Sequence, residues 1–235
     1  MWGSNMHDIV YFVKKDLVNE ELRYSLRSVE ANFPHSKLVF YGGCPNGMLP
    51  DLYHGVVQHG ATKWERVTAM IRMACNDDAI SDDFWLFNDD FFVMKRTKEP
   101  DPQYNGDLYR HIVQIENRHS MTTSAYSKKL RETVIQLERK GYGTLNYAVH
   151  VPILINKQKA IDTLNEFSGY PMFRSLYGNM HKIGGRNEED VKVNKPFDSF
   201  DKNSKFLSTN DVTFSTGLVG SYIREKFKDP CKWEV

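Results

Sequence analysis

Asp89 and Asp90 are adjacent carboxylates set between two apolar segments, residues 84–87 and 91–94. Apolar runs of this length are typical of a central strand that is buried on both faces. An uncompensated charge in such a place costs several kcal/mol, and a divalent cation compensates it well. Mn²⁺ and Mg²⁺ accept carboxylate oxygens and leave room for phosphate oxygens. The stretch therefore predicts a Mn²⁺ or Mg²⁺ site for the diphosphate of a nucleotide-sugar, beside Asn88; a solvated turn between two hairpin strands is the alternative.

A glycine-rich loop at residues 42–47 follows a predicted strand, helix, strand order. In such a βαβ unit the ligand crevice lies at the carboxyl ends of the strands. Gly42 and Gly43 permit a close backbone approach and are candidates for the floor of a nucleotide-base site, with a plain surface turn equally open. At the start of the next predicted helix, Lys63 and Arg66 are candidates to bind donor phosphates, or else ordinary surface charges.

Hydrophobic periodicity and capping residues predict an α/β order of elements. We expect a Rossmann-like mixed, mostly parallel central sheet flanked by helices, with residues 1–5 an added or disordered start and residues 6–235 a single domain. Residues 172–189 show little periodicity but are rich in side chains that often line sites. The predicted strands are residues 8–13, 37–41, 56–57, 84–87 and 111–115, and the predicted helices are residues 19–32, 64–74, 127–140, a segment capped by Asn156, and 218–227.

Composition narrows the possible classes of function. The 235-residue chain has 31 Lys and Arg against 30 Asp and Glu, so it lacks the basic field that drives sequence-independent nucleic-acid binding. Its 3 cysteines have no metal-ligand spacing, and no apolar run approaches the length of a membrane span. With no signal peptide evident, we expect a cytoplasmic protein. The sequence lacks the motifs that serine hydrolases, P-loop kinases and zinc enzymes require.

Several blocks of the sequence resemble the Stealth proteins. These are sugar-phosphate transferases of microbial capsule synthesis, related to the eukaryotic enzyme that adds N-acetylglucosamine 1-phosphate to lysosomal glycoproteins. The blocks are residues 21–30, 84–92, 150–152 and 229–234, in the family's order. The resemblance implies a GT-A-like fold with an acidic metal motif.

The resemblance also implies roles for individual residues. It makes Asp89 or Asp90 a site carboxylate, His150 an active-site histidine and Arg174 a phosphate-binding arginine. The chain departs from the family at residues 11–16, which read YFVKKD where the family has a strand ending in Thr-Trp-Val-Asp-Gly. Because that departure touches the phosphotransfer chemistry, we prefer a plain glycosyltransferase on the same frame.

A second acidic cluster, residues 184–190, is similar to the segment that many GT-A transferases place under the acceptor. Glu189 and Asp190 are therefore candidate bases, and a solvated turn explains the cluster equally well. Asp211 is a candidate additional metal ligand, with an Asx-type turn as the alternative. Further candidates, which together could bind the diphosphate, are Arg174, His181, Lys182 and Arg186.

The sequence thus predicts a metal-dependent glycosyltransferase that uses a nucleotide-sugar donor, with a UDP-sugar favoured. The alternatives are a Stealth-like sugar-1-phosphate transferase and a catalytically silent nucleotide- or carbohydrate-binding module. The acceptor is open between a glycan, a protein and a modified nucleic-acid base, and the oligomeric state is also open.

Overall fold

A computed structural model describes residues 6–56, 60–118, 124–169 and 172–235. Its main sheet has five strands in the order β3-β2-β1-β4-β7. The strands of this sheet are β1 (Asp8–Val13), β2 (Leu38–Gly42), β3 (Leu52–His54), β4 (Asp83–Phe87) and β7 (Ile153–Asn156). Four of them run parallel and β7 runs antiparallel beside β4. The predicted mixed, mostly parallel α/β sheet is confirmed.

Helices cover both faces of the sheet, and two short strand pairs lie outside it. Strand β5 (Phe91–Val93) pairs with β9 (Phe206–Ser208), and β6 (Gln103–Tyr104) pairs with β8 (Arg186–Asn187). The helices are α1 (Glu20–Asn32), α2 (Lys63–Cys75), α3 (Leu108–Arg118), α4 (Ala125–Arg139), α5 (Lys157–Glu166), α6 (Phe173–Met180), α7 (Asp211–Thr216) and α8 (Leu218–Lys226).

Helix α1 forms where the sequence predicts it, because its start and its buried face are both encoded locally. The Asn19 side chain accepts a hydrogen bond from the Leu22 backbone N–H at 2.9 Å and so caps the helix. Leu22, Leu26 and Val29 recur at helical spacing and are fully buried. They pack with strand residues of β1 in one core cluster, which fixes the helix start at the carboxyl end of that strand.

Three predicted segments differ from the structure. Residues 111–115, predicted as a strand, belong to helix α3, in which Leu108 and Ile112 are buried one turn apart. The third strand is β3 rather than residues 56–57; Val56 is not in a strand, and Val57 lies outside the described residues. Residues 173–180, left irregular by the prediction, form α6. This helix is buried on most sides, so it lacks the polar face that makes periodicity visible.

The segment at residues 229–235 is fastened onto α1. The Glu234 carboxylate binds Arg23 at 2.8 Å and Arg27 at 2.6 and 2.7 Å. Burial alone would raise the pKa of Glu234, but these arginines and the Cys231 backbone N–H hold it at about 2. Beside it Trp233 is buried and donates its indole N–H to Asp51 at 3.1 Å. The resembling blocks at residues 21–30 and 229–234 therefore meet in a contact that holds the fold together.

Among the described residues, the helices are all too short or too polar to cross a bilayer.

Candidate active site

Asp89 and Asp90 form the turn between β4 and β5, at the carboxyl edge of the parallel strands. The Phe91 backbone N–H closes this turn on the Asn88 carbonyl oxygen at 3.2 Å. Asp89 Oδ2 accepts a hydrogen bond from Asn19 Nδ2 at 2.8 Å. Burial raises the pKa of Asp89, the Asn19 hydrogen bond lowers it, and the neighbouring Asp90 raises it further. Asn19 thus joins the start of α1 to the acidic turn.

The Asp90 carboxylate has one bonded and one unbonded oxygen. Its Oδ2 lies 2.8 Å from Lys192 Nζ, and only 15% of the Asp90 side chain and 20% of the Lys192 side chain are exposed. Its Oδ1 is buried and has no hydrogen-bond partner in the part of the chain that the structure describes. A buried carboxylate oxygen without a donor is costly, so this atom is where an additional cation or donor would stabilise the site.

Glu21 and Asp211 extend the acidic cluster. Thr209 donates its hydroxyl to Glu21, and the Asp211 carboxyl at the start of α7 shares a hydrogen bond with Glu21. Burial, that shared hydrogen bond and the charges of Asp90 and Asp89 raise the pKa of Glu21 to about 7. The structure therefore brings Asp211 to the same cluster as Asp89 and Asp90, through Glu21.

The donor set of this cluster suits a hard divalent cation in charge and atom type. Its carboxylate oxygens are the ligands that Mn²⁺ and Mg²⁺ prefer, and the unpaired Asp90 Oδ1 is one that a cation would satisfy. Across the described ranges, however, no three His, Cys, Asp or Glu side chains converge closely enough to form a ligand set by themselves. Any cation here would therefore take part of its coordination from substrate or water.

His150 and Asp190 form a hydrogen-bonded dyad beside the acidic turn. Asp190 Oδ2 lies 2.7 Å from His150 Nδ1, and Asp190 Oδ1 accepts the His150 backbone N–H at 3.0 Å. Burial alone would raise the pKa of Asp190, but the His150 ring and the backbone N–H groups of His150 and Lys192 hold it below its ordinary value. An ionised Asp190 keeps the proton of a neutral His150 on Nδ1 and leaves Nε2 as a lone-pair acceptor.

Arg174 lies behind the dyad. Its guanidinium donates to the Val151 carbonyl and stands 5.7 Å from the centroid of the Phe91 ring. Burial lowers the pKa of Arg174 to about 10, while Asp190 and Asp90 counteract that effect. Its Nε is buried without a partner among the described residues. The predicted phosphate-binding arginine is thus a largely buried cation that supports both carboxylates.

The dyad opens onto a polar cavity of about 860 Å³. Its size is in the range of small-molecule sites. Helix α3 supplies part of one wall, and the loop around Asp190 supplies the other. The polar lining residues are Asn105, Arg110, His111, Gln114, Ser124, Tyr126, His150, Asn187, Glu188, Glu189, Asp190, Lys192 and Asn194.

Lys63 reaches the edge of this cavity from the first turn of α2. Its ammonium lies 5.0 Å from the centroid of the Trp64 ring and 5.6 Å from that of Tyr126, which lines the cavity. Burial lowers the pKa of Lys63, and the Lys192 charge lowers it further. The positive charges of Lys63 and Lys192 therefore repel each other, although the two residues are far apart in the sequence.

The other predicted donor residues lie elsewhere or have contacts of their own. Lys182 lines a separate cavity with Asp83, at the amino end of β4, and Arg186 pairs with Asp101. Gly42 ends β2 at the carboxyl edge and Gly43 follows it, where a Cβ on Gly43 would stand 2.1 Å from the Lys14 carbonyl oxygen. The backbone at Lys14 therefore leaves no room for a side chain at position 43.

Two predicted residues contribute little to the described contacts. Arg66 lies partly buried in the first turn of α2, and Glu189 is exposed at the cavity wall, one residue before the dyad carboxylate. Of the two predicted base candidates, the structure therefore gives a hydrogen-bonded histidine to Asp190 and none to Glu189 among the described residues.

Three residues of the site were not predicted as functional. Asn19 and Glu21 were interpreted only as the cap and the first turn of α1, although a polar helix start at the carboxyl edge of a sheet was an available signal. Lys192 had no local signal, because it meets Asp90 across 102 residues.

Comparison with known proteins identifies distant structural neighbours. The galactosyltransferase LgtC, in complex with donor and acceptor sugar analogues, is similar over 72% of this chain and 68% of its own, with 14% identity and a TM-score of 0.39. An active-site mutant of LgtC gives the same values. No protein-family model matches the chain, and a search of curated proteins finds no match. The functional conclusion therefore rests on the side chains of the site.

Proposed function

We propose that the protein is a glycosyltransferase that moves a sugar from a nucleotide-sugar, with UDP-sugars the first donors to test, to a hydroxyl of its acceptor. The observation that carries this proposal is the His150–Asp190 dyad, which faces a cavity beside the Asp89–Asp90 turn. Ligands of open α/β sheets bind at the carboxyl ends of the strands, and His150 lies just before β7, whose first residue pairs with Leu86 near the carboxyl end of β4.

The dyad supplies a base. Nε2 of His150 takes the proton of the acceptor hydroxyl as the acceptor oxygen bonds to the anomeric carbon and the bond from that carbon to the donor phosphate breaks. Asp190 holds the ring in the required tautomer and stabilises the imidazolium that forms. Arg174 places a buried positive charge near Asp190 and Asp90, and the charges of these two carboxylates oppose the lowering of the Arg174 pKa by burial.

The acidic turn serves the leaving group. Asp89 and Asp90, with Glu21 and Asp211 next to them, would hold Mn²⁺ or Mg²⁺, and the cation would neutralise the charge on the departing nucleoside diphosphate. Lys192 adds a positive charge at the same place, because its Nζ lies 2.8 Å from Asp90 Oδ2. Asn19 fixes the orientation of Asp89 through its side-chain amide.

Product mass tests the proposal. Purified protein is incubated with a panel of nucleotide-sugars, Mn²⁺ and candidate acceptors, and the products are identified by mass spectrometry. Glycosyl transfer adds a sugar to the acceptor and releases a nucleoside diphosphate. A sugar phosphate on the acceptor with release of a nucleoside monophosphate would instead establish the Stealth-like reaction. Donor binding without turnover by any acceptor, water included, would establish a silent binding module.

A further inference from the structure

The acidic turn already binds one positive charge of the chain itself, the ammonium of Lys192. Its Nζ lies 2.8 Å from Asp90 Oδ2, and only 20% of the Lys192 side chain and 15% of the Asp90 side chain are exposed. A divalent cation at this turn would bind the same carboxylate, through the buried Oδ1 that has no partner among the described residues. The lysine and the cation therefore compete for Asp90.

The two positive charges exclude each other at Asp90. Two cations on one carboxylate lie close together, and their repulsion is strong where little water reaches. A divalent cation has twice the charge of an ammonium and can bind the neighbouring Asp89 as well, so it is the stronger partner of the turn. Of the two, Lys192 is the one that leaves.

The Lys192 side chain can leave Asp90 while its backbone stays in place. Asp90 is the only acceptor for its three ammonium N–H groups in the ranges that the structure describes, and the four-carbon stem is flexible. The backbone is fixed by a β-bridge to Ser208 and by the Val193 backbone N–H, which bonds to the Ser208 carbonyl oxygen at 2.9 Å. Movement is therefore confined to the side chain.

A released ammonium would remain inside the candidate active site. Lys192 lines the cavity together with His150, and its backbone N–H donates to the dyad carboxylate of Asp190. Glu188 and Glu189 also line this cavity, but both are exposed to solvent. A diphosphate carries more charge than either carboxylate and is placed at the turn that the ammonium has just left, so it is the stronger acceptor.

We propose that Lys192 occupies Asp90 in the metal-free protein, leaves it when a divalent cation binds at the acidic turn, and then binds the diphosphate of the donor. This inference rests on the proposed function, because it concerns the donor of that reaction. Metal binding thus makes Lys192 available to the nucleotide-sugar, and the metal and the donor bind in that order.

Mn²⁺ binding to the full chain tests the competition without turnover. Free Mn²⁺ is measured by electron paramagnetic resonance in the absence of nucleotide, and Lys192→Met should bind Mn²⁺ about tenfold more tightly than wild type, because the competing charge is gone. In saturating Mn²⁺ the same variant should bind UDP about tenfold more weakly, because the ammonium–phosphate contact is lost. Lys195→Met removes an exposed charge nearby and should leave both affinities within about twofold of wild type. Thermal melting checks that each variant is folded.

Acetylation of lysines in the wild type tests the displacement directly and needs no variant. Peptide mass spectrometry measures modification of Lys192, with the exposed Lys195 as the internal standard. Mn²⁺ should raise the modification of Lys192, because its amine is no longer held at Asp90. Addition of UDP with Mn²⁺ should lower it again, because the ammonium is then bound to the diphosphate.

The results separate the parts of the proposal. Mn²⁺ affinity that is equal or weaker in Lys192→Met, or acetylation of Lys192 that does not respond to Mn²⁺, would overturn the exchange at Asp90. Equal affinity of wild type and Lys192→Met for UDP in saturating Mn²⁺ would overturn the contact with the diphosphate. Absence of sugar transfer with every donor, together with the expected Mn²⁺ affinities and acetylation, would overturn the proposed function and leave the exchange standing, since neither measurement needs turnover.

Discussion

Replacing Asp190 with asparagine removes the charge of the dyad and leaves its shape nearly unchanged. In the native site the Asp190 carboxylate accepts His150 Nδ1 at 2.7 Å and the His150 backbone N–H at 3.0 Å. A hydrogen bond to a charged group contributes about 1.5–3 kcal/mol, and the bond to the ring strengthens as the imidazolium forms. Loss of that bond should lower kcat/KM for sugar transfer roughly 10- to 100-fold.

The measurement compares Asp190→Asn with Glu189→Gln in the same assay. Both variants neutralise one carboxylate of the same loop, but only Asp190 bonds to His150, so Glu189→Gln should retain activity within about threefold of wild type. The fall in Asp190→Asn should appear mainly in kcat, because the proposed donor site is at the acidic turn and not at the dyad. An equal loss in both variants, or a larger loss in Glu189→Gln, would show that the dyad is not the base.

Further predictions concern the metal, the fold and one glycine. Asp89→Ala and Asp90→Ala should each abolish the Mn²⁺-dependent part of the thermal stabilisation by UDP while leaving a folded protein; an unchanged metal response in both would remove the acidic turn from the site. Glu234→Gln should lower the free energy of unfolding by about 3 kcal/mol in urea at pH 7, because it removes the charge that the partly buried Arg23 and Arg27 both bind. Folding lowers the pKa of Glu234 from 4.5 to about 2. The contribution of its carboxylate to the free energy of unfolding is therefore present above pH 4.5 and is lost as the pH falls toward 2. The variant and the wild type should then converge in stability at low pH. Gly43→Ala should cost about 1–3 kcal/mol, as its Cβ would overlap the Lys14 carbonyl oxygen at 2.1 Å, and an unchanged urea midpoint would show that the loop moves freely.

The parts of the fold that the sequence predicts are those that local chemistry determines. Asn19 and the apolar spacing of Leu22, Leu26 and Val29 define α1 without reference to any other segment. Helix α6 is different, because Phe173, Leu176 and Tyr177 are buried against several elements at once. A helix surrounded by protein shows no polar face, and its periodicity is hidden until its neighbours are known.

The candidate site also combines residues that the sequence predicts with residues that only the fold brings together. Asp89 and Asp90 were predicted from residue type and flanking pattern and His150 from the family resemblance, while the partners that orient them come from distant segments. Asp190 reaches His150 across 40 residues and Lys192 reaches Asp90 across 102. No spacing rule connects such pairs, since a chain of that length can place its ends almost anywhere. The position of Lys182 was also not predictable from spacing. It lies close to Arg186 in the sequence, but it lines a cavity at the amino end of β4, away from the acidic turn.

The contact between α1 and Glu234 also has a consequence for how the protein is made. Arg23 and Arg27 find their carboxylate 211 and 207 residues later in the chain. On the ribosome, helix α1 leaves the exit tunnel long before that partner is translated, and Trp233, which fills the core beneath the helix, arrives equally late. The nascent chain therefore lacks the contacts of Glu234 with helix α1 until synthesis has passed residue 234.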